Sequence, residues 1–399
     1  MVDTLLHFGV IALLLLGAGA ALLTLPGTIE LSFLTLGGLL PRRKRAARDA
    51  DNTLMKLAVV VPAHNEQDGI GDCVRSILNA DWTTVTGDVV VVADNCSDAT
   101  AEKAEAAGAR VLIRHDEKLR GKGYALDFVF NTLLPEGYQG FLVVDADSSV
   151  SSNLMEEVGR AFRAGADAVQ CRYIVNPPDD RKTAGVNTLA VNAFNFRSEC
   201  RGRLGLSAGI LGNGFGLTAE TLKAVPYDAT SVVEDLEYHL RLVRSGRKVL
   251  FLSAASVDAL MPASVETATG QRARWEGGRF RMIREHVPRL AGAVLRGRIA
   301  LLEPMFELTL LPISYHVALL LLSLVAPSIW VRGYAVLAIL IIFGFLVLSV
   351  LRQGQKATDL LTLFAAPFHL IWKLRMLPAV FRSARPGAAW IRTKREKDK

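Results

Sequence analysis

The sequence predicts an α/β protein in which a mostly parallel sheet, covered by helices on both faces, is flanked by transmembrane helices at both ends of the chain. Two observations support this. Short apolar runs alternate with helical stretches through the middle of the chain, and strands that alternate with helices form parallel sheets. The chain is also 51% hydrophobic over 399 residues, and its longest apolar stretches lie near its two ends.

The alternating pattern begins at residue 57. Buried-strand patterns occupy 57–61, 89–93, 111–113 and 141–144, and helical patterns occupy 68–79, 100–107 and 123–134. Polar clusters follow several of these strands directly. Because such sheets bind ligands at the carboxyl ends of their strands, the clusters form the candidate site.

The first apolar stretch, Leu5 to Leu25, contains no charged residue and matches the roughly 20 residues that cross a bilayer. A signal peptide is the alternative, but no basic cluster precedes the stretch and apolar sequence resumes after Pro26. The resumed stretch, 28–40, contains Glu30 and is interpreted as a continuation, an interfacial segment or half of a hairpin. Further candidate spans are 308–326 and 334–351, separated by 330–333, and the weaker 360–377.

Basic residues predict the orientation in the membrane. Arg42-Arg43-Lys44-Arg45 follows the first apolar block, and the tail at 392–397 is also basic. Positive flanks stay in the cytoplasm, so we expect an integral protein of the inner or plasma membrane with a cytoplasmic middle region. The net charge of +7 suits anionic lipid headgroups. No fold or aromatic pattern indicates nucleic-acid binding.

These patterns divide the chain into five parts. They are membrane segments at 1–41, a cytoplasmic domain at 52–270, basic interfacial helices at 271–300, transmembrane or interfacial helices at 301–380 and a basic tail at 381–399. The cysteines Cys73, Cys96, Cys171 and Cys200 lack zinc-site spacing and are expected to be reduced in the cytoplasm, so we assign them no chemistry.

The strongest chemical signal is the pair Asp145 and Asp147 after the fourth predicted strand. Two carboxylates one residue apart repel each other unless a cation lies between them, and a hard divalent cation with oxygen ligands fits this pattern. A solvated acidic turn is the alternative. Asp94 follows the second strand and is suited to accept a hydrogen bond from a base or ribose, whereas Asp98 also suits a helix cap.

Two helix starts carry further candidates. Lys122 lies among small residues at the start of a predicted helix, which suits phosphate, although neither a Walker A loop nor a dinucleotide-binding glycine turn is present. Glu234 and Asp235 open another helix, where carboxylates are favoured by the helix dipole. The alternative to this capping role is that Asp235 is a general base that deprotonates an acceptor hydroxyl.

The sequence Gln271-Arg272-Ala273-Arg274-Trp275 heads an arginine-rich stretch. The interspersed apolar residues favour an interfacial helix. That interpretation does not account for Gln, Arg and Trp in this particular order.

The order of the motifs along the chain is more specific than any one of them. They are Pro62-Ala63-His64-Asn65-Glu66, Asp94 to Asp98, Gly121-Lys122-Gly123, Asp145-Ala146-Asp147, Glu234-Asp235 and Gln271-x-x-Arg274-Trp275. Over about 57–280 this order resembles family 2 glycosyltransferases. It most resembles the membrane branch that holds cellulose, hyaluronan, chitin-oligosaccharide and poly-N-acetylglucosamine synthases.

The resemblance implies a GT-A fold, inversion at the anomeric carbon and a role for each matching residue. Glu66 and Asp94 would contact the nucleotide, and Lys122 and Glu234 would lie near the substrate. Asp145 and Asp147 would lie at the diphosphate with Mg²⁺ or Mn²⁺, and Asp235 would be the base. Gln271 and Arg274 would hold the diphosphate, and Trp275 would stack on the acceptor. Two positions depart from the pattern. Ala93 replaces the first Asp of an Asp-Asp pair, and Asn213 replaces Thr within Gly212 to Gly216.

The sequence therefore predicts transfer of a hexose or N-acetylhexosamine from a UDP-sugar to a growing polysaccharide or a membrane-held acceptor. The alternative is transfer of one sugar to a lipid such as a ceramide, hopanoid or polyprenyl carrier. The small number of predicted spans favours that alternative. A self-contained secretion channel would require every weak candidate segment to cross the membrane, or else an oligomer or an export partner. A scaffold built on a degenerate transferase is disfavoured by intact Asp145, Asp147, Asp235 and Trp275. A transporter is disfavoured because the predicted spans lack paired charges.

Overall fold

A computed structural model describes residues 2–41, 54–176, 184–229, 231, 233–260, 265–353 and 357–385. The basic segments at 42–45 and 392–397 lie outside these residues. The chain forms two compact units. Of the described residues, the sheet unit comprises 54–176, 204–229, 231, 233–260 and 265–271, and the helical unit comprises 2–41, 184–203, 272–353 and 357–385.

The sheet unit contains one mixed sheet. Its strands are β1 (Met55–Ala63), β2 (Val85–Asp94), β3 (Arg110–Arg114), β4 (Gly140–Val143), β5 (Ser148–Val150), β6 (Ala168–Asn176), β7 (Phe215–Thr218) and β8 (Val249–Leu260). They lie in the order β3-β2-β1-β4-β7-β6-β8-β5. Among the described residues four of the seven pairings are parallel, namely β1 with β2 and with β4, β2 with β3, and β6 with β8. The predicted α/β class is confirmed.

Helices and short 3₁₀ turns make up most of the remaining regular structure. The helices are α1 (Val2–Leu39), α2 (Ile70–Leu78), α3 (Thr100–Ala106), α4 (Lys122–Leu133), α5 (Leu154–Arg163), α6 (Ala184–Arg203), α7 (Ala219–Ala224), α8 (Glu234–Arg244), α9 (Val265–Leu295), α10 (Leu302–Thr309), α11 (Ile313–Ser323), α12 (Ile329–Arg352) and α13 (Ala366–Ser383). The 3₁₀ turns are Leu134–Glu136, Ile299–Leu301 and Ala357–Ala365.

The central strands are buried on both faces, which explains their continuous apolar sequence. Val59 and Val61 of β1 pack into the core that includes α2 and α5, whereas Ala58 and Val60 pack into the core that includes α4. Burial of each such valine side chain stabilises the fold by about 1.5–3 kcal/mol. Parallel β1, β2 and β4 therefore end together at one edge of the sheet, and this is the edge at which the polar motifs emerge.

Within its described residues, the helical unit contains three helices that are long and apolar enough to cross a membrane. They cover Thr4–Leu39, Ile329–Arg352 and Leu360–Ser383. The first is a continuous helix that passes through Pro26, so the stretch at 28–40 is a continuation of the first apolar segment rather than half of a hairpin. Residues 330–333, predicted to separate two spans, belong to α12.

The predicted span at 308–326 is wrong as a single straight helix. The chain bends by 86° between Ile299–Thr309 and Ile313–Ser323, and only the two pieces together meet the requirements for a fourth span. Pro312 explains the break, because proline has no N–H to donate and disfavours helical backbone in the residue before it.

A buried ion-pair network joins three helices of this unit. Glu30 of α1 accepts hydrogen bonds from Arg197 and Arg201 of α6 at 3.1 and 2.9 Å. Arg201, 1% exposed, also bonds Glu303 of α10 at 2.9 Å and lies 3.2 Å from Glu307. The sequence analysis expected the predicted spans to lack paired charges. That expectation is wrong for Glu30, because its partners Arg197 and Arg201 lie far from it in sequence.

Candidate active site

The core of the candidate site lies just beyond the carboxyl end of β4. Asp145 and Asp147 follow this strand, and β5 begins at Ser148. Lys122, the first residue of α4, contacts Asp145 Oδ1 and donates a hydrogen bond of 2.6 Å to the carbonyl oxygen of Gly212. The structure therefore brings together two residues that the sequence places 23 positions apart.

The start of α8 lies beside this contact. A β-carbon built on Gly212 would lie 3.2 Å from Asp235 Oδ2, so the Asp235 carboxyl group faces the same backbone segment that Lys122 binds. A β-carbon on Gly123 would lie 2.1 Å from the carbonyl oxygen of Ala229 and 3.4 Å from Glu234 Cβ. Glycine at 123 thus permits the close approach of the chain preceding α8 to the start of α4.

The electrostatics of the cluster follow from its three carboxylates and one ammonium group. Burial, and then the charge of Asp235, raise the pKa of Glu234 to about 8, and burial also raises the pKa of Asp235. Burial alone would lower the pKa of Lys122, but the charges of Asp145, Glu234 and Asp235 outweigh it and raise that pKa. Lys122 therefore stays protonated, and the cluster holds an acidic excess.

A second group of predicted residues lies after β2. Asp94, the last residue of β2, accepts a 2.6 Å hydrogen bond from Arg114, the last residue of neighbouring β3. Arg114 also donates to the carbonyl oxygen of Leu119 at 2.8 Å. Burial raises the pKa of Asp94, and Arg114 opposes the rise. Sequence analysis missed Arg114, although a basic residue at the end of an adjacent strand was the available signal.

Two asparagines in left-handed conformation link the turns after β1, β2 and β3. Asn65 has φ of 54° and accepts a 2.8 Å hydrogen bond from the Ser97 amide, and Asn95 has φ of 51° and accepts one of 2.8 Å from the Asp116 amide. Asparagine tolerates this conformation better than most residues. Sequence analysis assigned these two residues no role.

Glu66 and Asp98 lie in the same pair of turns. The Glu66 amide donates to the Thr100 hydroxyl at 2.7 Å, and Asp98 accepts from the Thr100 amide at 3.1 Å where α3 begins. Asp98 also accepts a 3.3 Å hydrogen bond from the Gln67 amide, so it links the start of α3 to the turn after β1.

Comparison with known proteins identifies the domain. The family model described as glycosyltransferase-like family 2 matches residues 55–278, which is more than half of the chain. The chain belongs to this family. The domain is therefore a family 2 glycosyltransferase domain, and the candidate site lies within the matched region.

Curated relatives agree with this assignment. A β-monoglucosyldiacylglycerol synthase of Trichormus variabilis is 28% identical over 290 residues, 70% of this chain and 60% of the relative. A dolichol-phosphate mannosyltransferase of Pyrococcus furiosus is 26% identical over 121 residues, 30% of this chain and 34% of the relative. The chain thus spans about 60% of the length of the first of these relatives.

The mannosyltransferase of Pyrobaculum calidifontis, solved in complex with GDP-Man and Mn²⁺, superposes with a TM-score of 0.52. Its sequence is 16% identical to this chain, and the match covers 94% of this chain and 96% of that one. At this identity the likeness establishes the fold alone. The predicted GT-A fold is confirmed.

The Gln-x-x-Arg-Trp motif of the glycosyltransferase lies in α9. Gln271 belongs to the sheet unit, and Arg274 and Trp275 belong to the helical unit. Spacings of three and four residues place the three side chains on one face of the helix, and Trp275 is 51% exposed. Their roles at the diphosphate and the acceptor stay predictions.

The adjacent face of α9 is packed within the helical unit. Glu276, which follows the motif, accepts a 2.6 Å hydrogen bond from the Tyr315 hydroxyl and contacts the ammonium group of Lys373. A β-carbon on Gly277 would lie 2.7 Å from the carbonyl oxygen of Val380, so α13 packs directly against α9. Sequence analysis missed Glu276 because its partners are distant in sequence.

Proposed function

We propose that this glycosyltransferase transfers a hexose or N-acetylhexosamine from a nucleotide sugar to a hydroxyl group of a membrane-held acceptor, with inversion. The observation that carries the proposal is the grouping of Asp235, Glu234, Lys122 and Asp145 at one point of a family 2 domain. A carboxylate of raised pKa beside a cation and a further carboxylate supplies the base and the polar surroundings that glycosyl transfer needs.

In this proposal Asp235 is the general base. It takes the proton of the acceptor hydroxyl as that oxygen bonds to the anomeric carbon, and the bond from that carbon to the diphosphate breaks on the opposite face. The nucleoside diphosphate leaves with the bonding electrons. Lys122 places a positive charge beside Asp145, where negative charge grows on the leaving group. Glu234 lies beside Asp235, and burial together with the charge of Asp235 raises the pKa of Glu234 to about 8, so Glu234 stays protonated at neutral pH.

A divalent cation fits the Asp145 and Asp147 positions chemically. Burial, and then the negative charges of Asp145 and Asp147, raise the pKa of Tyr173. Both carboxylates therefore lie close enough to act on the same side chain. In the described part of the chain no group of three or more His, Cys, Asp or Glu residues is placed to hold a metal on its own. The pair therefore suits Mg²⁺ or Mn²⁺ shared with a diphosphate, where the ion would neutralise charge on the leaving group.

The nucleotide would lie near the turns after β1 and β2. Asp94 and Glu66 are the proposed contacts, and Arg114 holds the Asp94 carboxylate in place. The family pattern has a second aspartate at position 93 that would contact the nucleotide, but this chain has Ala93 there. We therefore assign recognition of the base to Asp94 alone. A UDP-sugar remains the proposed donor.

A lipid is the acceptor that we favour. The curated relative that matches 70% of this chain carries the name of a monoglucosyldiacylglycerol synthase, and the helical unit presents helices that are long enough to cross a membrane. The basic segments at 42–45 and 392–397 support a cytoplasmic catalytic domain at an inner or plasma membrane.

A polysaccharide synthase, as in the cellulose, hyaluronan, chitin-oligosaccharide and poly-N-acetylglucosamine branch, is the second candidate. The Gln271-x-x-Arg274-Trp275 motif favours it, because half-exposed Trp275 offers a stacking surface for an acceptor sugar. This candidate also needs further helices around an export path, from other copies of the chain or from an export partner.

The test uses purified protein in lipid nanodiscs with Mn²⁺ or Mg²⁺ and radiolabelled UDP- and GDP-sugars. Label in the lipid-extractable fraction would support the lipid acceptor, and label in a glycosidase-sensitive polymer would support the synthase. Failure to turn over any donor, with every added lipid, would contradict the enzyme assignment and revive the scaffold alternative.

We expect Glu234→Gln to leave the acidic limb of the pH profile of kcat/KM where it lies in the wild type. A carboxylate whose pKa is raised acts as a base only above that pKa, so activity falls as the pH drops through the pKa of Asp235. Glu234, with its pKa raised to about 8, is already protonated and uncharged in that range, so a neutral glutamine changes little of the field at Asp235.

Glu237→Gln provides the matched control, because this carboxylate also lies in the first turn of α8 but bonds the Ser231 amide instead. Its acidic limb should also coincide with that of the wild type. A Glu234→Gln profile whose acidic limb moves by about one pH unit would show that Glu234 is charged while Asp235 titrates, and would contradict this order of ionisation.

A further inference from the structure

The segment that links the two sides of the site is Gly212 to Gly216, and its buried polar side chain is Asn213, which is 3% exposed. Asn213 Oδ1 accepts a 3.1 Å hydrogen bond from the backbone amide of Asp145, and its Nδ2 donates one of 2.9 Å to Ser148 Oγ. Ser148 Oγ in turn donates to Asp147 Oδ1 at 3.4 Å. One amide side chain therefore reaches both aspartates of the Asp-x-Asp turn.

Asn213 is itself held by fixed neighbours. Gln170, fully buried on β6, donates from Nε2 to the Asn213 carbonyl oxygen at 2.8 Å and accepts from the Leu211 amide at 2.8 Å. The flanking glycines Gly212 and Gly214 have φ of 80° and 68°, which side chains rarely tolerate. Contacts outside the Asp-x-Asp turn thus help to fix the backbone of the segment, and Asn213 links that backbone to the turn.

The amide group is suited to this bridge because one end accepts and the other donates. An aspartate at 213 would keep the bond to the Asp145 amide but would draw the Ser148 proton away from Asp147 and add a negative charge. The threonine found at this position in the resembled pattern has a shorter side chain with a single hydroxyl. The replacement of Thr by Asn213 therefore allows one side chain to bond both the Asp145 amide and Ser148 Oγ.

We propose that Asn213 is a positioning residue that fixes the separation of the Asp145 and Asp147 carboxylates and thereby sets the affinity of the site for a divalent cation. It acts without touching the substrate. The inference rests on the proposed function insofar as that function uses a metal at these aspartates. Partners that orient metal ligands typically contribute 10- to 100-fold to metal affinity.

The experiment measures Mn²⁺ binding directly, by electron paramagnetic resonance of free Mn²⁺ in the presence of UDP, with the full-length protein in nanodiscs. Asn213→Ala should weaken Mn²⁺ binding by about tenfold or more and raise the Mn²⁺ concentration needed for half-maximal activity. At saturating Mn²⁺ its kcat should recover most of the wild-type value. Ser148→Ala, which removes only the relay to Asp147, should shift binding in the same direction by less.

The matched control is Asn131→Ala, since Asn131 makes an exposed hydrogen bond to Asp127 within α4. It should bind Mn²⁺ as the wild type does. The double variant Asn213→Ala/Ser148→Ala should weaken binding by less than the product of the single effects, because both act through one contact.

Three outcomes would overturn the inference. They are unchanged Mn²⁺ affinity in both single variants, a loss of kcat that saturating Mn²⁺ does not restore, and strictly multiplicative effects in the double variant. If Asn213→Ala fails to fold, Ser148→Ala and Asn213→Leu, which has nearly the same size and adds no charge, decide the same question, and wild-type affinity in both would overturn it. A wild-type protein that binds no Mn²⁺ with UDP would instead contradict the proposed metal use.

Discussion

Substituting Asp235 by Asn should lower kcat by about 10²- to 10⁴-fold, the range that a positioned general base contributes. Asparagine has nearly the same shape as aspartate and preserves the acceptor for the Leu236 amide, which bonds Asp235 Oδ1 at 2.8 Å. It cannot accept the proton of the attacking hydroxyl. Binding of the nucleotide sugar, measured by isothermal titration, should stay within a few-fold of the wild type because the change removes one proton acceptor and little else.

The control for this result separates catalysis from helix stabilisation. Asp235 and Glu237 both lie in the first turn of α8, where the helix dipole favours carboxylates. Glu237→Gln should therefore show any effect of the dipole without the loss of the base. Comparable losses of kcat in the two variants, or nearly full turnover by Asp235→Asn, would contradict the assignment of Asp235 as the base.

Replacing Arg201 by Met should destabilise the helical unit by about 3–5 kcal/mol, the usual effect of removing one partner of a buried ion pair. The guanidinium of Arg201 is 1% exposed and binds Glu30 and Glu303 on two different helices. Without it Glu30 and Glu307, both buried, would keep their ion pairs with Arg197 but would each lose the ion pair with Arg201. We expect a large fall in the melting temperature in detergent and a low yield of folded protein.

Arg281→Met is the matched control for this prediction. Arg281 forms an ion pair of 2.9 Å with Glu285 one turn away on α9, and both side chains are about one third exposed. Exposed pairs contribute roughly 0–1 kcal/mol, so this variant should melt close to the wild type. Equal shifts in the two variants would show that the buried network does not hold α1, α6 and α10 together.

The local elements of the sheet unit could be predicted because each is encoded by short-range pattern. The valine runs of β1 and β2 are buried on both faces, and such runs form strands in almost any parallel sheet. The order of the motifs along the chain also identified the family, since each polar cluster directly follows a strand or opens a helix. The break at Pro312 was the local feature that a count of apolar residues overlooked.

The contacts of the site could not be read from the sequence. Lys122, Asp145 and Asp235 are separated by tens of residues, and only the topology that places β4 between β1 and β7 brings their segments together. Arg114 and Asn213 were missed as partners of Asp94 and Asp145 for the same reason. Arg114 belongs to no motif, and Asn213 stood out only as a replacement for Thr within Gly212 to Gly216.

By itself the sequence determined the α/β class, the apolar helices and the residue types available for chemistry. These features depend on periodicity and composition, which are set by residues close together in the chain. The tertiary structure alone decided which charges meet. Glu30 in an apolar helix became one partner of a buried network, and Asp235 came to lie beside the backbone that Lys122 binds. Electrostatic interactions depend on distance in space and on burial, and neither is a property of sequence spacing.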